Sequence, residues 1–202
     1  PTRRSSDLGH AFMPGRFVFP GGRTDPADGR IAVAADLNPA EEVRLVGGGV
    51  RATPARAKAI ALSAIRETYE EAGLLIGNMA SFRTRSPHWQ EFVEQSVQPA
   101  LDGLRYIARA ITPPGRVRRY DTRFFAVWRE YVAVELADTP TSELEEIAWL
   151  PIREAKALDV AAITWTVLDE LERRLAMDPA LSPGAPVPFY AMRGGRFKRI
   201  IL

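Results

Sequence analysis

The sequence predicts an α+β fold of several strands with a long central helix and a C-terminal helix. Three observations carry this. Residues 54–72 read as one cleanly capped amphipathic helix, and Tyr120–Trp128 is a strongly β-prone run with strand-like stretches on either side. Apolar residues then recur at helical spacing between Ile152 and Met177. With 202 residues, 46% of them hydrophobic, the chain can bury one good-sized core, so a single domain over 1–202 is expected.

Composition narrows the function classes. There is no cysteine, which removes disulfides, thiolate metal sites and cysteine nucleophiles and fits a reducing, cytoplasmic setting. No apolar run approaches the roughly 18 residues of a membrane span, and no secretory leader is visible. The formal charge is +2, the pI is 9.2, and lysine occurs only at Lys58, Lys156 and Lys198. Without a long basic stripe interleaved with aromatics, neither nucleic acid nor membrane is the expected partner.

Taken in order, Pro1–Ala11 is polar and predicts a disordered or non-native start. The chain opens on Pro1 without Met, which suggests that native N-terminal residues are missing. Arg16–Phe19 is a short strand candidate closed by Pro20-Gly21-Gly22, where paired glycines allow positive φ and close approach of the backbone to a ligand. Residues 29–52 read as a loop with room for a short helix, and Gly47–Gly49 as a flexible linker. Thr53 is an N-cap with Pro54 at N1, opening a helix of roughly 28 Å at about 1.5 Å per residue that Gly73 ends. Leu74–Ile76 enters a strand. Residues 81–100 predict an amphipathic helix able to cover a cleft, with His88 in a surface or packing role. Leu104–Ile111, Tyr120–Trp128 and Tyr131–Leu136 are strands, the first two separated by the turn Thr112–Gly115. Arg116, Arg118 and Arg119 either bind phosphates in forked geometry or form a solvated basic loop. Ile152–Met177 is a core-facing helix, 179–188 a linker, and Phe189–Met192 with Phe197–Leu202 a hairpin through Gly194-Gly195.

The central helix carries the chemistry. Glu67, Glu70 and Glu71 stand at i, i+3 and i+4, so three carboxylates leave one face within a turn, opposite Ala61, Ile65 and Ala72. Like charges at that spacing destabilise a helix by about 0.2–0.5 kcal/mol per pair, and a divalent cation reverses the sign. Mg2+ is usually held by one or two carboxylates together with waters and phosphate oxygens. Arg66 reaches Glu70 at i+4 and can orient a carboxylate.

Arg66-Glu67-Thr68-Tyr69-Glu70-Glu71-Ala72-Gly73-Leu74 matches R-E-U-x-E-E-x-G-U, where U is aliphatic, except at Thr68. With Phe19-Pro20-Gly21-Gly22 upstream, the chain resembles the Nudix hydrolases. In that frame Gly22 is the first glycine of the Nudix box and Asp28 stands where the box has its first Glu. Residues 29 to 65 then intervene, 37 in all and about thirty more than the pattern's usual spacing. The stretch Arg118-Arg119-Tyr120-Asp121-Thr122-Arg123-Phe124-Phe125 is similar to the branch around the peroxisomal coenzyme A diphosphatases, which also carries an insertion before the helix. Glu143 to Pro151 resembles the E-x-x-x-x-W-L-P stretch that leads into the family's last helix.

The resemblance implies an α/β/α sandwich, a mixed β-sheet between the central and C-terminal helices, and hydrolysis of a nucleoside diphosphate linked to another moiety, with coenzyme A or acyl-coenzyme A as first candidates. It implies Mg2+ or Mn2+ held by Glu67, Glu70, Glu71 and the Gly22 carbonyl, with Glu70 or Glu71 doubling as base. Arg66 would orient a carboxylate, Gly21 and Gly22 would contact metal or phosphate, Arg118 and Arg119 would bind phosphate, and Glu143, or Glu146 close behind, would add one more acid. The expected partner is a small-molecule diphosphate substrate, and a homodimer is compatible with the family. A catalytically silent ligand-binding module and an interaction protein with an acidic helix face stay open.

Overall fold

The computed structural model describes residues 2–5, 17–47, 53–115, 118–137 and 144–202. Ten strands are present among them: β1 (Thr2–Ser5), β2 (Phe17–Val18), β3 (Leu74–Met79), β4 (Val97–Pro99), β5 (Arg105–Ile111), β6 (Asp121–Ala126), β7 (Val132–Glu135), β8 (Leu144–Ala148), β9 (Pro188–Arg193) and β10 (Arg196–Ile201). The helices are α1 (Pro39–Val46), α2 (Pro54–Ala72), α3 (Gln90–Glu94), α4 (Ile152–Ala157) and α5 (Ala162–Met177). The strands form three sheets, ordered β2-β1-β8, β10-β9-β5-β6 and β4-β3-β7. All pairings between these strands are antiparallel except β5 with β9, so the architecture is the expected mixed α+β.

The β5–β6 pair has helices on both sides because its side chains alternate. Tyr106 and Phe125 are cross-strand partners with ring centroids 5.6 Å apart, and they face the core that holds Ala57, Ala61, Leu62 and Ile65 of α2. Ala108 and Phe124, also partners, face the other way onto Val167, Ile163 and Leu171 of α5. Phe124 and Phe125 face opposite sides by the period-2 rule, and a register shift between Tyr106 and Ala108 lets β5 follow them. Among the described residues no helix is long and apolar enough to cross a membrane.

Three expectations are corrected. The polar start does not remain unstructured over Thr2–Ser5, because β1 is the central strand between β2 and β8. A ladder needs only backbone donors and acceptors, so a polar sequence can fill it. The short helix for which 29–52 had room is present as α1, and the described part of the segment is packed into the core. Asn38 caps α1 by accepting from Ala40 N–H, and Ile31, Leu37 and Leu45 are buried in the main core. The helix expected over 81–100 is confined to a 3-10 turn at Pro87–Trp89 and to α3; Ser96 then takes a left-handed φ of 52° and the chain turns into β4. The C-terminal helix is broken between α4 and α5, where Phe17 N–H bonds the Asp159 carbonyl at 3.1 Å and diverts the chain. The expected hairpin is present as β9–β10, with Gly194 and Gly195 at φ 57° and 73°.

Glu41 fastens α1 to the rest. Its side chain is fully buried, Oε2 accepts Tyr106 N–H at 3.0 Å, and Oε1 accepts Gly184 N–H at 3.0 Å.

Candidate active site

The long helix forms where its signals place it. Thr53 Oγ1 accepts Arg56 N–H at 3.2 Å, and Gly73 closes the other end in the left-handed region at φ 66°. Ala57, Ala61, Leu62, Ile65 and Ala72 are buried on one side, leaving Glu67, Glu70 and Glu71 half-buried on the opposite face.

Arg66 is the hub of the site. It is 4% exposed, and its fork is fully engaged. Nε and Nη2 donate to Asp28 Oδ1 and Oδ2 at 3.0 and 3.2 Å, and Nη2 also reaches the Arg23 carbonyl at 2.8 Å. Nη1 lies 2.8 Å from Glu67 Oε1 and donates to Glu70 Oε2 at 2.7 Å. One guanidinium therefore fixes the glycine-turn segment to the helix and orients two of its three acids. Burial works against the Arg66 charge, but the bond to Asp28 and the fields of Glu67, Asp28 and Glu70 hold its pKa above the usual arginine value.

The glycine turn faces the acids. Gly21 N–H donates to Glu71 Oε2 at 3.2 Å. Gly22 lies flat against Glu67, so that a Cβ there would stand 2.4 Å from the carboxylate carbon and both its oxygens. Neither glycine needs a positive φ, so Gly22 is required for close approach and not for a left-handed turn. Burial raises the Glu67 pKa; Arg66 opposes the shift, and Glu70 and Asp28 reinforce it.

Two residues outside the predicted set belong here. Asp28 is 1% exposed and receives the Arg66 fork, the Asp25 N–H at 3.0 Å and the Trp89 indole N–H at 3.3 Å. Its place where the resemblance has the first Glu of the box was the available signal. His88 is a surface residue as expected, its side chain 51% exposed, and its Nδ1 is 2.9 Å from Glu70 Oε1. No local pattern marks a contact made across eighteen residues of chain.

Among the described residues, no bond joins Arg118 or Arg119 to the acids. Arg118 and Arg119 are exposed at the β5–β6 turn, Arg119 donating to the Thr112 carbonyl at 3.2 Å. The arginines with strong partners on that hairpin are Arg109 and Arg123. Arg109 grips Asp121 with two bonds of 2.8 Å and stacks 4.6 Å above the Phe189 ring, while Arg123 Nη2 is 3.0 Å from Asp121 Oδ2. Glu143 lies outside the described residues, and Glu146 enters the description only through its backbone, opposite Arg4 in the β1–β8 ladder.

The donor set has the chemistry a hard divalent cation requires. Asp28, Glu67 and Glu70 surround one guanidinium, with Glu71 on the same helix, so the oxygens offered are the hard carboxylate kind that Mg2+ takes. Among the described residues these side chains are turned to Arg66, His88 and the Gly21 amide, and no three acids or histidines are arranged as a ligating group.

Comparison with known proteins bears on the fold. The fold matches the crystal structure of a Nudix hydrolase from Alicyclobacillus acidocaldarius with a TM-score of 0.59 and 25% sequence identity, over 83% of this chain and 80% of that one. No protein-family model matches the chain, and no curated protein does.

Proposed function

We propose that this chain, with the mixed α+β fold of a Nudix hydrolase, hydrolyses a diphosphate bond in a nucleoside diphosphate linked to another moiety, using Mg2+ or Mn2+. The observation that carries the reading is the Arg66 hub, which draws Glu67 and Glu70 of one helix face against the Gly21-Gly22 turn. Glu67, Glu70, Glu71 and the Gly22 carbonyl are the groups that would hold the cation. When bound, such a cation supplies Lewis acidity and neutralises phosphate charge.

The chain's own residues do the rest. Arg66 keeps two carboxylates oriented without neutralising the whole set. Glu70 or Glu71 accepts the proton of the attacking water, and the flat surface at Gly21 and Gly22 lets a phosphate lie close to the backbone. Coenzyme A or acyl-coenzyme A is the first substrate to test, on the similarity of the Arg118–Phe125 stretch to that branch. The deciding experiment is release of phosphorylated products from a panel of diphosphates with and without Mg2+.

A second reading is favoured by one observation: the acids are engaged with Arg66, His88 and the Gly21 amide and not gathered as ligands. On that reading the chain is a silent ligand-binding module, distinguished by binding a diphosphate without turning it over.

A further inference from the structure

The sheet β10-β9-β5-β6 ends on β10, and among the described residues no strand pairs its outer edge. The hairpin decides which backbone groups that edge offers. Gly194 and Gly195 form a two-residue turn, so Arg193 and Arg196 close it as a pair that exchanges both backbone bonds. The same phase continues through Ala191 with Lys198 and Phe189 with Ile200, and Leu202 N–H meets the Val187 carbonyl at 2.9 Å in step with it. Arg196, Lys198 and Ile200 therefore spend their amides and carbonyls on β9. Those of Phe197, Arg199 and Ile201 point to the open edge.

The two faces of β10 differ in chemistry. On the side of α5 stand Phe197, Arg199 and Ile201. Phe197 stacks on Tyr190 at 6.0 Å, and Phe197 and Ile201 stay 48% and 49% exposed. Arg199, between them, is neutralised by Glu170 of α5, with Nε on Oε1 at 2.6 Å and Nη2 on Oε2 at 3.0 Å. On the opposite face stand Arg196 and Lys198, with Arg193 paired to Arg196 in the register. These three cations are exposed, and among the described residues none has an acidic partner.

Such an edge disfavours one occupant and suits another. A second copy of the chain would bring the same cations onto the same face and supply no counter-charge. A strand with acids at alternate positions supplies it. In an antiparallel ladder on this edge, the residues facing Arg196 and Lys198 form the non-hydrogen-bonded pairs, whose Cα atoms stand closest, at about 4.5 Å. The residues between them fall on the α5 side, where Phe197 and Ile201 leave apolar area to cover.

We propose that the outer edge of β10 is a docking site for an extended segment of another protein whose residues alternate between acidic and apolar, added to the sheet as its next strand. None of the groups assigned to the diphosphate reaction lies on β10, so the two readings stand or fall separately.

The probe is a capped peptide alternating valine and glutamate, titrated into the full chain at low salt, with a valine–lysine peptide as its counterpart. The glutamate peptide is expected to bind and the lysine peptide not to. R196E/K198E is expected to weaken the glutamate peptide by roughly tenfold or more and to take up the lysine peptide in its place. Its melting temperature stays that of the unaltered chain, since neither side chain has an acidic partner to lose. Amide hydrogen exchange reads the ladder itself. Bound peptide slows Phe197, Arg199 and Ile201, whose N–H groups lie on the open edge, and leaves Lys198 and Ile200 as they were.

Failure of the glutamate peptide to bind, equal affinity for both peptides, or unchanged affinity in R196E/K198E overturns the proposal. So does slow exchange at the three edge amides without peptide, together with a dimer in light scattering, which gives the edge to a second copy. An oligothymidylate that outcompetes the glutamate peptide while those amides exchange freely also overturns it, and assigns the cations to a polyanion.

Discussion

Arg66 and Asp28 form a forked ion pair in which both side chains are almost without solvent, 5% and 1% exposed. Removing one partner of such a pair strands the other charge in a low-dielectric interior, at about 3–5 kcal/mol. Asp28→Ala is therefore expected to lower unfolding free energy by about that amount in urea titration. It also loosens the glycine-turn segment, because Asp28 receives the Asp25 amide, the Trp89 indole and two nitrogens of Arg66. A loss below about 1 kcal/mol would mean that the pair does not organise the site.

Gly22→Ala tests the close approach. The new methyl would meet the Glu67 carboxylate, and that carboxylate is not free to swing away because Arg66 Nη1 holds it at 2.8 Å. The expected outcome is a fall in Mg2+-dependent turnover on the order of 10²-fold, from an ångström-scale displacement of the acid. Gly21→Ala, which meets nothing within 4 Å, is the comparison, and equal damage at both positions would remove this explanation.

Glu71→Gln separates chemistry from folding. The amide oxygen can still accept from Gly21 N–H, so stability should stay within about 0.5 kcal/mol. Turnover should drop by roughly 10²–10⁴-fold, and Glu70→Gln should do the same while keeping a weaker bond to Arg66. A glutamine variant with full activity removes that residue from the mechanism.

Asp121 predicts a pH dependence. Burial pushes its carboxyl up, but the bond from Arg109 and the charge of Arg123 outweigh this and hold it below the ordinary value of 3.8. A depressed carboxyl contributes stability that is fully present above its unfolded pKa and is lost as pH falls through the folded one. The advantage of the unaltered chain over Asp121→Asn is therefore expected to be constant above about pH 5 and to shrink toward pH 2, read by denaturant titration at each pH. An advantage independent of pH would show that the interaction does not depend on charge.

The central helix was legible in the sequence because its determinants are local. Thr53, Pro54 and Gly73 act within a turn of their own positions, and the spacing of Glu67, Glu70 and Glu71 requires only helical periodicity. The approach of the glycine turn to that helix followed from the resemblance, and the Gly21–Glu71 bond spans fifty residues that no periodicity could bridge. The His88–Glu70 contact is hidden from the sequence for the same reason: it depends on the burial of Trp89 and Phe92, which is decided by the whole core. Arg118 and Arg119 drew attention by clustering in sequence, while Arg109 and Arg123, opposite one another in the β5–β6 ladder, are the pair brought to Asp121.

Glu41 changes what shortening this chain would mean. Its carboxylate satisfies amides on two segments far apart in sequence, and the apolar residues around α1 complete the same interior that α2 rests on. Trimming the chain to the usual spacing of the motif would strand the amides of Tyr106 and Gly184 and open a void behind the acid-bearing helix. The extra segment is a keystone, and a minimal version of this protein built without it would be expected to arrive unfolded.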